Sequence, residues 1–223
     1  NINVFFVRAV NGTIEVIAVH ELVHHFVWAD KLSPDDFLWF HEGMAQFASI
    51  EVVDALGYEG AKYEKERLEQ VAAQLGGNFG FVQQWSPNSQ PQSIGLYYAA
   101  SYYVVNELAK IYSGFDFYRS FFELTQNVTV SDNNLLAYYL SKAANASVAL
   151  LLQDWGFNVS DLYTSPLLID EAERALAQVH PIFQPYKFLA EYLFRQALLN
   201  FEIGNVERAN AFLQFAIIIA HLA

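Results

Sequence analysis

His20-Glu21-Leu22-Val23-His24 is the stretch that decides how this chain folds. It lies inside a run from Thr13 to about Ala29 whose apolar residues recur at helical spacing, with Thr13 a reasonable N-cap. Positions four apart share one face of an α-helix, so the two imidazoles converge. Zinc takes neutral imidazole nitrogen at about 2.0–2.1 Å, and two histidines one turn apart make a bidentate clamp for it. Glu21 stands about 100° round the helix from His20. It can flank the ion's water without ligating the ion, which is where a general base must be. The flanks Ile14, Val16, Ile17, Val19, Leu22, Val23, Phe26 and Val27 predict a core helix, rigid enough to hold ligands.

A third ligand should follow. Ser33-Pro34-Asp35-Asp36 opens a second helical region, with Ser33 as cap, Pro34 at the first position and two acids in the first turn. Within it stands Trp39-Phe40-His41-Glu42-Gly43-Met44-Ala45. Glu42 ranks first by spacing, and a carboxylate offsets one of the ion's two charges. Gly43 is expected to leave room for close approach to the His20/His24 helix. Gln46, one turn after Glu42, can reach back to orient the carboxylate. His41 is the rival ligand if the helix is rotated, and otherwise supports the site from behind. Glu51 is too far along the helix to share a site with Glu42. His25 points away from His24, and His180 and His221 have no ligand spacing.

This pattern, His-Glu-x-x-His followed by Glu-Gly-x-Ala on a second helix, resembles the gluzincin metallopeptidases. That group includes thermolysin, aminopeptidase N and the broad peptidase MA-like set. Trp39, Glu42, Gly43 and Ala45 match the Trp-x-x-Glu-Gly-x-Ala string of the last. No His-x-x-Gly-x-x-His continuation of the metzincin kind follows His24. The resemblance covers residues 13–160. It implies Zn²⁺ held by His20, His24 and Glu42, with Glu21 as base in peptide-bond hydrolysis. It also implies a phenol that donates to the oxyanion, a role for which Tyr98, ten residues before Leu108, is the candidate. Tyr97 is its neighbour, and an aromatic packing stripe explains the tyrosines of this helix as well. Leu151-Leu-Gln-Asp-Trp155 resembles the last catalytic-domain helix of the family. No Gly-x-Met-Glu-Asn string is present, so endo- and exopeptidase stay open. Family members carry a β-sheet before the metal helix. Here residues 2–7 read as one short strand, so a missing N-terminal segment or a partner chain is expected to supply the rest.

The whole chain has 223 residues and a formal net charge of −12, with 12 Lys+Arg against 24 Asp+Glu. That balance argues against nucleic acid, which needs a cationic face. Hydrophobic residues reach 54% and charged residues only 16%, against roughly 25% charged in an average domain. The excess apolar surface predicts a partner, a homo-oligomer or a surface assembly. With no cysteine, thiolate zinc, disulfides and cysteine nucleophiles are excluded. Four Asn-x-Ser/Thr triplets, at Asn11, Asn127, Asn145 and Asn158, suggest an extracellular or cell-surface glycoprotein. No apolar run is long enough to span a membrane.

The fold expected is mainly α: a gluzincin-like zinc peptidase module over 1–163, then a helical annex over 164–223. Helices are expected at 58–75, 93–112, 116–126, 132–144, 147–156, 168–179, 186–203 and 206–222. The last two form a hairpin, tetratricopeptide-like or packed on the module. The Gly/Pro-rich stretch 76–92 reads as the longest loop, and such loops are often functional. Two further readings stand beside the peptidase. One is an extracellular assembly protein that keeps the zinc site without turnover. The other is a peptide-binding helical repeat centred on 165–223.

Overall fold

The computed structural model describes residues 11–29, 32–89, 93–126, 128–163, 166–202 and 205–222. Of the described residues 78% are helical and none is in a strand, so the class is mainly α. Among the described residues there are ten α-helices: α1 (Thr13–Ala29), α2 (Pro34–Ala55), α3 (Glu59–Ala73), α4 (Ile94–Ile111) and α5 (Phe115–Thr125), followed by α6 (Asn133–Ala144), α7 (Val148–Asp154), α8 (Pro166–Gln178), α9 (Gln184–Glu202) and α10 (Val206–His221). The strand expected at residues 2–7 lies outside the described residues.

Local chemistry explains the helix ends. Ser33 caps α2 by accepting from the Asp35 N–H, and Pro34 stands at its first turn. Asp132 caps α6 by accepting from the Asn134 and Leu135 N–H groups. Asn145 closes that helix in the left-handed conformation, φ 51°, which Asn tolerates better than most side chains. At α1 the expectation is corrected by one residue. The Gly12 carbonyl accepts from the Val16 N–H at 3.0 Å, so Gly12 holds the cap position and Thr13 is the first residue of the helix.

α2 is the central element. Phe37, Trp39, Phe40, Met44, Phe47, Ile50 and Val53 are all buried along it. α1, α3 and α4 pack around it, and α5, α6 and α7 extend the same core through Tyr118, Phe121, Leu136, Leu140 and Leu152. Separately, α9 and α10 form a hairpin with α8 against α10, around small clusters such as Ala172, Ala197 and Leu213. Tyr163 links the two groups of helices. Its hydroxyl donates to Asn145 Oδ1, and its carbonyl accepts from Asn210 Nδ2.

Two expectations are revised by the packing. α1 is not a core helix: only Val16 and Val27 are buried on it. Ile14, Leu22, Phe26 and Trp28 are 46%, 52%, 67% and 67% exposed. Apolar residues run all round this helix, but among the described residues its main packing partners are α2 and α3, which cover one side of it. The stretch 76–92 is also less loop-like than its composition suggests. A 3₁₀ turn at Gly80–Gln84 is strapped down by Phe79 and Gly80 N–H groups donating to the Trp155 carbonyl. Gln83 and Asn158 exchange a further pair of hydrogen bonds.

Candidate metal centre

The α1–α2 hairpin brings three ligand atoms together. His20 Nε2 lies 3.2 Å and His24 Nε2 3.5 Å from Glu42 Oε2. The two nitrogens are 3.1 Å apart. These three residues form a group able to hold a metal ion, with all ligand atoms within 4.8 Å of one another. Tetrahedral bonds of about 2.0–2.1 Å put ligand atoms about 3.3 Å apart. The observed triangle brackets that spacing, so one ion can reach all three without rearrangement of the helices.

Electrostatics agree with the geometry. Glu42 Oε2 is buried, and neither imidazole is aligned with it as a proper hydrogen bond. A buried carboxylate oxygen left in that state is costly unless a cation satisfies it. Burial works to raise the Glu42 pKa, but the close His20 and His24 rings outweigh it and hold the carboxyl at about 2. For His24, burial works downward, and Glu42, helped by Glu21, overcomes it and raises the imidazole. Glu42 is therefore charged across the working range, as a ligand must be.

His41 is buried, at 2% exposure, and does not join the triangle. Its Nε2–H donates to the Leu32 carbonyl at 2.8 Å, and its ring stacks on His24 with centroids 6.1 Å apart. Burial lowers its pKa, so it packs as a neutral ring behind a ligand. His25 is exposed. Glu51 is taken up by Lys65 at 3.1 Å.

Glu21 is exposed on α1 and lines a hollow of about 540 Å³ together with His20, Gln46 and Tyr98. Burial raises the Tyr98 phenol to about 12, with Glu42 and Glu21 adding to the effect. It is thus a protonated donor beside both carboxylates. Tyr97 turns elsewhere, packing on Phe81 and Trp85. Gln46 shares the hollow, but no hydrogen bond joins it to Glu42 among the described residues.

Gly43 plays a different part from the one expected. A Cβ there would meet the Ser101 carbonyl oxygen at 2.6 Å and Val105 Cγ2 at 2.7 Å. The close approach it allows is to α4, not to the His20/His24 helix.

Some contributors were not singled out from sequence. Trp85 is buried and packs edge-on to Tyr98 at 5.1 Å. Tyr63, Glu64 and Arg67 of α3 line the far wall of the hollow. Beyond His24 a second hollow, of about 320 Å³, is lined by Trp28, Pro34 and Leu38. Only the Gly/Pro composition around Trp85 hinted at any of these.

Among known proteins, no family model, no curated protein and no solved structure matches the chain.

Proposed function

We propose that this chain is a zinc-dependent hydrolase of peptide bonds, of gluzincin type. The observation that carries the reading is the His20–His24–Glu42 triangle, with Glu21 and Tyr98 on the wall of the hollow beside it. Two imidazoles and one carboxylate form a borderline donor set that suits zinc. When bound, zinc supplies Lewis acidity and makes water a usable nucleophile near neutral pH. Glu21 accepts the proton of the attacking water and returns it to the leaving nitrogen. Tyr98 donates a hydrogen bond as charge develops on the carbonyl oxygen. His41, stacked on His24, keeps that ring in place.

Zinc analysis of the purified protein, combined with digestion of a mixed peptide library by wild type and Glu21→Gln, tests the reading. Stoichiometric zinc and cleavage lost in Glu21→Gln support it. Protein that binds no zinc, or cleavage unchanged in the variant, overturns it.

In this reading residues 1–163 carry the catalytic module and 164–223 the helical annex. Asn11, Asn145 and Asn158 are exposed, which supports glycosylation and an extracellular or cell-surface site. Asn127 lies outside the described residues. No helix among the described residues is long and apolar enough to cross a membrane.

A second reading is favoured by one observation. α9 leaves Phe188, Leu189 and Tyr192 at 65%, 45% and 57% exposure, an apolar patch of the kind that marks an interaction surface. That suits an assembly protein that keeps the metal site without turnover. Zinc bound in full with no cleavage, together with a multimeric mass in solution, would decide for it.

A further inference from the structure

We infer that the substrate is a polypeptide lying along α1 through the metal centre, with a bulky apolar side chain seated on Trp28. This rests on the hydrolase reading above and extends it to the substrate. The two hollows lie one after the other along α1. Thr13, Ile17 and Glu21 line the larger, and His24 and Trp28 the smaller. These five residues follow one another at three- or four-residue steps, so they form one stripe along α1. On α2 the order reverses, with Gln46 beside the first hollow and Pro34 and Leu38 beside the second. Together they mark a groove along the antiparallel hairpin, from Thr13 to Trp28 on α1 and from Gln46 back to Pro34 on α2.

From Thr13 to Trp28 the helix rises about 22 Å, the length of about six or seven extended residues. The metal ligands stand in the middle of that length. A bound chain thus continues past the reacting bond on both sides, which suits an internal bond better than a terminal one.

The two sides differ in chemistry. The larger hollow is also mainly apolar, but it carries the Glu64–Arg67 ion pair and Tyr63, which make it the more polar of the two. The smaller is lined by Trp28, Pro34 and Leu38, with His24, His25, His41 and Glu42 beside them. Glu42 faces the two histidines and the ion they would share. A charged side chain would lose water there against a lining that is mainly apolar. Trp28 is 67% exposed, a flat ring left open to solvent at the groove. A side chain laid on it removes apolar area from both partners and gains aromatic packing.

The test uses zinc-loaded Glu21→Gln, so that binding is read without turnover, and alanine–glycine hexapeptides blocked at both ends. One peptide of the series carries phenylalanine at each position in turn. Phenylalanine at one register should tighten binding about tenfold over the all-alanine peptide. The gain should vanish in Glu21→Gln/Trp28→Ala and return in Glu21→Gln/Trp28→Phe, with zinc content equal in all three. Equal affinity for phenylalanine and alanine peptides overturns the inference. So does a preference that survives Trp28→Ala, or binding that demands a free terminus. The wild type, given the same peptides, separates the two claims. Discrimination in binding without any cleavage sinks the hydrolase reading and leaves the groove. Cleavage indifferent to phenylalanine sinks the groove inference alone.

Discussion

A Cβ added to Gly43 would stand 2.6 Å from the carbonyl oxygen of Ser101, so α2 and α4 meet backbone to backbone. Gly43 follows Glu42, the candidate ligand, and Ser101 stands one turn after Tyr98. This contact ties the position of the Glu42 carboxylate to that of the phenol across the hollow. Because the obstacle is backbone and not the end of a flexible side chain, Gly43→Ala has to push the helices apart. Overpacking of this kind costs about 1–3 kcal/mol. Melting should fall by about 2–4 °C for each kcal/mol in a chain of this size. Zinc affinity should change little, since Glu42 reaches α1 from the opposite side, while turnover should drop as Tyr98 moves away. Unchanged melting and turnover would show that the contact is slack.

His41 and Glu42 should separate under mutation although they are adjacent. Glu42→Ala removes a ligand and should lower zinc affinity by about two orders of magnitude or more. His41→Ala keeps all three ligands. It strips the Leu32 carbonyl of its donor and leaves a cavity, for a loss of about 1–3 kcal/mol in stability. Its zinc affinity should fall by about tenfold at most, through looser orientation of His24. Metal titration beside thermal melting reads both. Equal loss of zinc in the two variants would make His41 a ligand.

The metal-free protein should show a pH signature with two opposite limbs. The Glu42 carboxyl is held at about 2 when folded, below its ordinary value. It therefore stabilises the fold above the unfolded pKa of about 4.3, and that contribution fades as pH falls toward 2. The His24 imidazole is raised, so its contribution is full below the unfolded pKa of about 6.5 and is lost as pH rises through the folded value. Zinc must displace the His24 proton, so its affinity should weaken as pH drops below that raised pKa, by about tenfold per unit for one proton. Titrations of wild type and His24→Ala between pH 5 and 8 check it. Zinc affinity flat across that range in wild type would contradict the linkage.

The helix ends and the clustering of His20, His24 and Glu42 could be read from the residues because each has a local cause. Ser33-Pro34 and Asp132 announce starts through their own side chains. His20, His24 and Glu42 meet because helical spacing and a short hairpin leave them few other places. What could not be read depends on what lies opposite. Leu22 and Phe26 look as buried as Val16 and Val27, since hydrophobicity does not say which side of a helix has a neighbour. Gly43 signals a close approach, but the sequence does not name Ser101 as the approaching group. Trp85 reaches Tyr98 through a strap anchored at Trp155 and Asn158, residues some seventy positions away. Local pattern carries no trace of such a long-range anchor.

Glu21 and Tyr98 should fail in different ways, and neither through the metal. Glu21 lies outside the triangle, so Glu21→Gln should hold zinc at wild-type affinity. Its amide is nearly isosteric but cannot accept a proton at neutral pH, and general-base catalysis is worth about 10²–10⁴-fold. Turnover should fall by that amount, with peptide binding kept. Tyr98→Phe removes one hydroxyl from the hollow and leaves its ring packed on Trp85. Loss of one oxyanion donor costs about 10²–10³ in kcat, with little change in KM when the donor acts on the transition state alone. The Tyr98 phenol is pushed up to about 12, so wild-type activity should show no alkaline loss from phenolate formation up to about pH 10. Steady-state kinetics of wild type and both variants, with zinc measured on the same samples, read all of this. A Tyr98→Phe variant with unchanged kcat would return that residue to packing alone. Zinc lost from Glu21→Gln as readily as from His20→Ala would remove Glu21 from the role of base.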